Sequence, residues 1–414
     1  MAPPFSSATV KMAQVLKFHR GYKPANARAP ALPKGISNPQ NALDLLDILA
    51  LTQRCGVSFM PVRRRPELPG LGRGVSGLVT QSADEEFALK SSAPEEARYA
   101  NDNHYRSLMS EIRVLQHDMI KTHPNIIRLV GITWDIELRN LTTWPVLITK
   151  KARYGELDSF LFSEDPPVEL DFEAKVRICA GILDGLGALH ISGSPPPDPS
   201  RPNLTDLQTH VGVAHGDLKL DNVVLDEEES GALVPKLIDF GSARIEGQEH
   251  FVPAISLPWN APEITTGTSL SLASIAASDM YSFGLLFSQI LLPAQDLSTA
   301  NLLFTRRLPH PKRHVMIENI NFLKKAGSLG DKLKEVCSVL PKAQSDIVSA
   351  IISTTILGDP GERMAAHGLK QRFFSTYFDA TRYMYFSRLS LVIGTECPAI
   401  ELNPFSSRVH SAHC

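Results

Sequence analysis

Hydrophobic and polar positions follow two different patterns along this chain of 414 residues. Between Gly56 and Lys151, short runs rich in β-branched residues predict strands, and they surround one segment, Tyr105–Met119, with apolar residues at helical spacing. After Gly155 the spacing becomes helical, most clearly in Phe172–His190, Ser278–Leu292 and Ser345–Leu357. The pattern therefore predicts an α+β protein with a small β-rich lobe followed by a larger α-helical lobe.

The predicted strands of the small lobe are Val75–Thr80, Glu86–Lys90, Val130–Trp134 and Pro145–Thr149. In the larger lobe, the acidic stretch Glu227–Gly231 lies between two apolar runs, which predicts a solvated hairpin turn. The Pro-rich stretch 192–206 has no apolar periodicity and predicts an exposed insertion. We interpret it as a tolerated surface loop, with a docking element for a substrate or partner as the alternative.

The N-terminal region differs in composition from the rest of the chain. Its first 43 residues contain six Lys or Arg residues and neither Asp nor Glu. We interpret residues 1–55 as a basic, flexible extension, and a mitochondrial targeting segment is the alternative. The remaining chain divides into the small lobe at 56–151, the large lobe at 152–374 and a C-terminal tail at 375–414.

Composition narrows the class of protein without indicating its chemistry. With 43% hydrophobic and 21% charged residues the chain is typical of a soluble globular protein, and no apolar stretch is long enough to span a membrane. The 42 Lys and Arg residues nearly balance the 44 Asp and Glu residues, so no nucleic-acid partner is expected. The five scattered cysteines lack CxxC spacing, which favours a reducing compartment; we expect a cytoplasmic protein, with nuclear or mitochondrial location as alternatives.

A glycine-rich run in the small lobe is the first candidate site. Gly72, Gly74 and Gly77 precede Val79 in a GxGxxGxV pattern. Glycines at this spacing let backbone N–H groups approach phosphates because no Cβ atom blocks them. A dinucleotide-binding fingerprint would open a helix, whereas the residues that follow Gly77 continue as a predicted strand.

The next candidate is the lysine at the end of the following strand. Lys90 closes the run Phe87–Lys90, where an amino group can hold the α- and β-phosphates of ATP. Such a lysine needs a carboxylate to orient it, and Glu111 on the predicted helix is well placed. Glu95 and Glu96 are nearer in sequence but fall in a predicted loop, so we rank them lower.

The strongest signal is the run His215-Gly-Asp-Leu-Lys-Leu-Asp-Asn222, which is followed by an Asp-Phe-Gly run beginning at Asp239. In this pattern Asp217 can accept the proton of a substrate hydroxyl, and Lys219 can neutralise charge on the transferred phosphate. Asn222 and Asp239 supply the oxygen ligands that Mg²⁺ prefers. The sequence therefore predicts phosphoryl transfer.

These motifs, in this order, resemble the eukaryotic protein kinase superfamily over roughly residues 56–374, and Lys219 and Ser256 resemble its serine/threonine type. The resemblance implies a bilobal kinase-like fold that binds ATP and Mg²⁺ between its lobes and acts on protein substrates that the sequence does not identify. It implies catalytic roles for Lys90, Glu111, Asp217, Lys219 and Asn222. It also implies that ATP is bound by Leu71, Gly72, Gly74, Gly77, Val79, Ala88, Lys90, Thr149, Ala152, Val224 and Asp239, with Asn222 and Asp239 holding the metal.

The resemblance also implies structural contacts in the large lobe. Glu263, in an Ala-Pro-Glu run, is expected to pair with Arg363, and Asp279 is expected to anchor the loop that carries Asp217. An apolar column linking the lobes is expected from Leu115, Leu129, His215 and Phe240.

One position departs from the family pattern. Gly216 stands where an arginine commonly precedes the catalytic aspartate, and in such kinases that arginine pairs with a phosphate on the activation segment. We therefore expect any activity not to require phosphorylation through this contact. Two alternatives remain open: a small-molecule phosphotransferase of the aminoglycoside or choline kinase type, and a pseudokinase scaffold.

Overall fold

The computed structural model describes residues 39–61, 71–74, 77–91, 103–137, 142–191, 212–245, 255–265 and 270–375. Its small lobe contains one antiparallel sheet whose strands lie in the order β1-β2-β3-β5-β4. The strands are β1 (Gly72–Gly74), β2 (Gly77–Gln81), β3 (Phe87–Ser91), β4 (Leu129–Glu137) and β5 (Thr142–Lys150). The predicted strand Val75–Thr80 begins later, at Gly77, and the glycine run adds a strand of its own.

Side chains alternate between the two faces of this sheet. Leu89, Val146 and Ile148 are fully buried on one face. Lys90 and Ala88 project from the opposite face, because successive residues of a strand point to opposite sides. The long β4–β5 pair explains why both strands extend beyond their predicted ends, since pairing continues as far as Glu137 and Thr142.

Helix α2 (Asn103–Leu115) follows β3 and buries the apolar stripe predicted for it. The predicted helix continued to Met119, but the observed helix ends at Leu115. The reason is local, because the Nδ1 atom of His117 accepts a hydrogen bond from the backbone N–H of Met119 and competes with the helical ladder.

The segment predicted to be a flexible extension up to residue 55 is partly structured, which corrects that prediction. Helix α1 (Pro39–Arg54) packs against α2 and buries Ile48 and Leu51, which are three residues apart on one helical face. The chain then pairs with the edge of β4, where Ser58 and Met60 exchange backbone hydrogen bonds with Ile132. The remainder of the predicted extension, residues 1–38, lies outside the described residues.

The large lobe is mainly helical, as predicted. Helix α5 starts at Leu272 rather than at Ser278, because the hydroxyl of Ser271 caps it by accepting from the N–H of Ser274 at 3.1 Å. Helix α9 similarly begins at Lys342 rather than at Ser345. The helices are α3 (Leu157–Leu161), α4 (Phe172–Ile191), α5 (Leu272–Leu291), α6 (Ala294–Thr299), α7 (His310–Lys325), α8 (Leu329–Cys337), α9 (Lys342–Thr355) and α10 (Ala366–Phe373).

Short strands line the boundary between the lobes. They are β6 (Gly155–Glu156), β7 (Val213–Ala214), β8 (Val223–Glu227), β9 (Leu233–Leu237) and β10 (Arg244–Ile245). The acidic stretch predicted to be a hairpin turn joins β8 to β9, which confirms that prediction. The Pro-rich insertion 192–206 and the tail beyond residue 375 lie outside the described residues. No helix in the described part of the chain is both long and apolar enough to span a membrane.

Candidate active site

Lys90 lies between two carboxylates from different parts of the chain. Its Nζ atom is 2.7 Å from Oε2 of Glu111 on α2 and 2.7 Å from Oδ1 of Asp239, which follows β9. Burial lowers the pKa of Lys90, but the charges of Asp239 and Glu111 outweigh that effect and raise it above its ordinary value. Lys90 is therefore a fixed positive charge, and Glu111 is the carboxylate that it contacts, as expected from the sequence.

Glu111 is almost fully buried, and burial raises the pKa of its carboxyl group. The positive charge of Lys90 opposes this shift, whereas the negative charge of Asp239 adds to it. The position of α2 thus depends on the Lys90 ion pair, since Glu111 without its cation would be a buried charge without compensation.

The backbone at Asp239 has φ 63°, in the left-handed region that residues other than glycine seldom adopt. This conformation turns the carboxylate toward Lys90, while the next residue, Phe240, is fully buried. Gly241 then packs directly against the hydroxyl of Ser107 on α2, leaving no room for a Cβ atom. The Asp-Phe-Gly run therefore joins helix α2 to the site.

The catalytic-loop residues converge on Asp217. Its Oδ2 atom accepts hydrogen bonds from Nζ of Lys219 at 2.6 Å and from Nδ2 of Asn222 at 3.1 Å. The other carboxylate oxygen, Oδ1, is buried and has no hydrogen-bond partner among the described residues. Lys219 also donates to the hydroxyl of Ser256 at 3.1 Å. One oxygen of Asp217 is thus held in place, and the other keeps its capacity to accept a hydrogen bond.

Asp279 on α5 holds this loop from behind, as the resemblance implied. Its carboxylate accepts from the backbone N–H groups of His215 at 2.7 Å and Gly216 at 2.9 Å. His190 at the end of α4 lies within 3.1 Å of the same carboxylate. Sequence reasoning did not identify His190, because a lone histidine at the end of a helix carries no motif.

The expected apolar column is also present. Leu115, Leu129, His215 and Phe240 are all buried, and the rings of His215 and Phe240 lie 5.1 Å apart. His215 is further fixed by a 3.1 Å contact between its Nε2 atom and the carbonyl of Ile238. These residues connect helix α2 and the small-lobe sheet to the loop that carries Asp217.

The residues expected to contact the adenine of ATP lie around one face of the sheet. Val79 is paired directly with Lys90, and Ala88 with Thr149, so these four side chains share a face. Ala152 and Val224 are buried nearby in the main core, whereas Leu71 is 38% exposed at the start of β1. Gly74 and Gly77 pair across the β1–β2 turn.

The Glu263–Arg363 pair expected from the resemblance forms with two contacts. Nη1 of Arg363 is 2.5 Å from Oε1 of Glu263, and Nη2 is 2.8 Å from Oε2. The arginine side chain is completely buried, and it also donates to the carbonyls of Leu357 and Ala277. This pair holds the end of the segment 255–265 against the large lobe.

Gly216 occupies a position that excludes any side chain. Its φ is +75°, and a Cβ atom there would lie 2.5 Å from the carbonyl oxygen of Ser242. Glycine therefore allows the loop carrying Asp217 to pack directly on the chain that follows Asp239. The residue that departs from the family pattern is thus required by the local geometry.

We expect Gly216→Ala to lower the free energy of unfolding by about 1–3 kcal/mol, since it combines a disfavoured φ with a backbone clash. Equilibrium denaturation measures this loss. Gly187→Ala is the matched control, because a Cβ atom at that helical position meets nothing within 4 Å. The control should leave the free energy of unfolding unchanged or raise it slightly. Equal losses of stability in the two variants would contradict the close approach of Gly216 to Ser242.

Comparisons with known proteins agree with this geometry. The family model described as the protein kinase domain matches residues 67–374. Among Arabidopsis thaliana proteins, G-type lectin S-receptor-like serine/threonine-protein kinase RKS1 is 29% identical over 41% of this chain and 17% of its own length. Cysteine-rich receptor-like protein kinase 44 is 27% identical over 53% of this chain and 51% of its own length. The chain spans about half or less of these relatives.

Proposed function

This chain belongs to the protein kinase family, and we propose that it transfers the γ-phosphoryl group of ATP to serine or threonine hydroxyl groups of protein substrates. The observation that carries the proposal is the state of Asp217. One of its oxygens is held by Lys219 and Asn222, and the other is a buried acceptor without a partner in the described structure. A carboxylate in this state can orient a substrate hydroxyl and accept its proton.

Lys90 and the sheet face around it provide the place for ATP. The lysine would contact the α- and β-phosphates, and the β1–β2 turn would lie over them, where glycines allow close approach. The adenine ring would pack between Val79 and Ala88 on one side and Val224 on the other. Transfer in this arrangement depends on positioning and on neutralising charge, because the protein forms no covalent bond to the phosphate.

Asn222 and Asp239 fit a magnesium ion. Asn222 uses its Nδ2 atom to donate to the backbone oxygen of Asp217 at 2.7 Å, so its amide oxygen is the atom that a cation would meet. No group of three or more His, Cys, Asp or Glu side chains in the described chain could hold a metal alone. Mg²⁺ commonly needs only one or two protein ligands, together with water and substrate phosphates, and when bound it neutralises phosphate charge.

The contact between Lys219 and Ser256 supports a serine or threonine as acceptor. Both side chains lie within hydrogen-bond distance of each other, and Lys219 also reaches Asp217. Lys219 thus links Ser256 to Oδ2 of Asp217, so the segment that carries Ser256 lies beside the catalytic loop. A serine or threonine hydroxyl, which is near its own backbone, suits an acceptor chain that lies along this segment.

A transfer assay with γ-labelled ATP tests the proposal against both alternatives. We expect label on generic protein acceptors such as casein or myelin basic protein, identified as phosphoserine or phosphothreonine. Label only on small alcohols would instead support the small-molecule phosphotransferase. Absence of transfer by a folded protein that binds ATP would support the scaffold.

The geometry of Gly216 leads to a prediction about regulation. Between Asp239 and Glu263 the sequence contains two hydroxyl side chains, Ser242 and Ser256. Ser256 contacts Lys219, which leaves Ser242 as the residue whose phosphorylation could regulate this segment. The described part of the segment is already held by a hydrogen bond from Ser110 to the carbonyl of Ala243 at 3.1 Å.

We therefore expect Ser242→Ala to retain transfer activity within about twofold, since it removes one half-buried hydroxyl and leaves the backbone contact of Ala243 with Ser110 in place. The measurement is the initial rate of protein produced in bacteria and treated with phosphatase, compared with untreated protein. Ser256→Ala is scored separately because that hydroxyl contacts Lys219. A large loss of transfer rate in Ser242→Ala, or in the wild type after phosphatase treatment, would show that activity requires phosphorylation of this segment.

A further inference from the structure

Three consecutive backbone carbonyls near the site are each held by a side chain of the large lobe. Nζ of Lys324 donates to the carbonyls of Pro258 and Asn260, and the hydroxyl of Ser282 donates to the carbonyl of Trp259 at 3.0 Å. These residues lie two to four positions after Ser256. The sequence carried no signal for Lys324, which lies at the end of α7 and belongs to none of the motifs.

Lys324 is buried, although lysine is seldom buried without a compensating partner. Burial lowers the pKa of its amino group to about 7, and the Glu263 carboxylate partly opposes this shift. Its Nζ atom lies 5.5 Å from the ring centre of Tyr281, a ring that the guanidinium of Arg363 also contacts at 4.9 Å. The free-energy cost of burying the amino group is compensated by its hydrogen bonds to the two carbonyls. We therefore interpret these hydrogen bonds as the role of Lys324.

The held carbonyls belong to a turn that connects directly to the catalytic loop. The backbone N–H groups of Trp259 and Asn260 donate to the carbonyl of Ser256 at 2.7 and 3.3 Å, which closes the turn 256–260. The side chain of Ser256 contacts Lys219, which in turn contacts Asp217. Displacement of the turn would therefore move Ser256 away from Lys219.

The same turn also forms one wall of a surface pocket. Pro258 and Trp259 line it together with Asp221 of the catalytic loop, and the ring of Trp259 packs against Phe304 at a centroid distance of 4.3 Å. Arg313, Met316 and Ile317 of α7 also line it, together with Thr305 and Arg306, so the helix that carries Lys324 also faces this pocket. The pocket therefore reaches the catalytic loop four residues along the chain from Asp217, where an acceptor chain that presents a hydroxyl to Asp217 would pass.

We propose that Lys324 is a positioning residue for the protein acceptor. By holding the carbonyls of Pro258 and Asn260, it fixes the turn 256–260 against α7. The turn then keeps both the Ser256–Lys219 contact and the wall of the pocket in place. Because the acceptor site rests on the proposed kinase function, the test needs one readout that depends on catalysis and one that does not.

The catalytic readout compares Lys324→Met with Lys325→Met, which makes the same side-chain change at the exposed neighbouring position of the same helix. In Lys324→Met we expect KM for the protein acceptor to rise about tenfold while KM for ATP stays within about twofold, since the lost charge-assisted contacts act on the acceptor side. Lys324→Gln, which keeps neutral donors, should recover part of the loss and serves if the Met variant does not fold. The Lys325 variant should match the wild type.

The second readout is hydrogen exchange of the peptide 255–263, which requires no activity. We expect exchange about tenfold faster in Lys324→Met and unchanged in Lys325→Met, because local opening follows the loss of the contacts that hold the turn. Absence of transfer by the wild type, together with faster exchange in the variant, would refute the kinase function but not the holding of the turn. Unchanged exchange, or equal changes in both KM values, would overturn the proposed role of Lys324.

Discussion

Asp217→Asn is expected to lower the rate of phosphoryl transfer by about a thousandfold, because an amide can neither accept the substrate proton nor compensate Lys219. In the structure Oδ2 of Asp217 is 2.6 Å from Nζ of Lys219, and Oδ1 is a buried acceptor without a partner among the described residues. The asparagine side chain has one oxygen and one NH₂ group in place of the two carboxylate oxygens. Its NH₂ group therefore either faces the ammonium of Lys219 or takes the position of Oδ1, where the substrate hydroxyl needs an acceptor. The initial rate with labelled ATP measures the loss.

The control for this substitution is Asp331→Asn, the same chemical change on α8, where the carboxylate is exposed and pairs with Lys334. We expect the control to keep its activity within about twofold. Both proteins should bind an ATP analogue with wild-type affinity, since Asp217 is assigned to the acceptor hydroxyl and not to the nucleotide. An Asp217→Asn protein that retained more than about a tenth of the wild-type rate would exclude Asp217 as the proton acceptor.

Lys90→Met should reduce kcat/KM for ATP by at least about a hundredfold, since it removes the fixed positive charge assigned to the phosphates. The substitution has a second effect that follows from the structure. It leaves the carboxylates of Glu111 and Asp239 without the cation that lies 2.7 Å from each. Helix α2 would then lose the ion pair that joins it to β3.

Thermal unfolding separates the two effects of Lys90→Met. The double variant Lys90→Met/Glu111→Gln removes the buried negative charge as well, so we expect it to recover stability but not activity. Lys121→Met is the matched control, because Lys121 is exposed and pairs with Asp118. Recovery of activity in the double variant would show that Lys90 acts through the position of α2 and not on the phosphates.

Local sequence patterns predicted which helices form more accurately than they predicted where each helix begins and ends. The apolar positions Leu108, Ile112 and Leu115 indicated α2 because a helix brings every third or fourth residue to one face. The predicted end of α2 at Met119 was wrong, because Nδ1 of His117 accepts a hydrogen bond from the backbone N–H of Met119. The start of α5 was wrong because its apolar pattern is strongest after Ser278, whereas the cap at Ser271 begins the helix.

Helix α1 shows why composition alone misled the prediction for the N-terminal region. The absence of acidic residues before Asp44 and the frequent prolines indicated a flexible extension. Ile48 and Leu51 belong to a leucine-rich run, Leu43–Leu51, whose spacing is compatible with a helix, but the run does not reveal which surface buries it. The surface is α2, so this helix lies against the element that carries Glu111.

The sequence by itself determined the chemistry of the candidate site, since Asp217, Lys219, Asn222 and Asp239 occur in runs whose spacing is short and specific. The tertiary structure alone decided how distant groups meet. It decided which oxygen of Asp217 has no partner in the described structure, why Gly216 must lack a side chain, and that Lys324 holds the turn after Ser256. The physical reason is the distance along the chain between the residues that interact. A motif records neighbours along the chain, whereas burial, close approach and hydrogen bonding between remote segments arise only when the chain has packed.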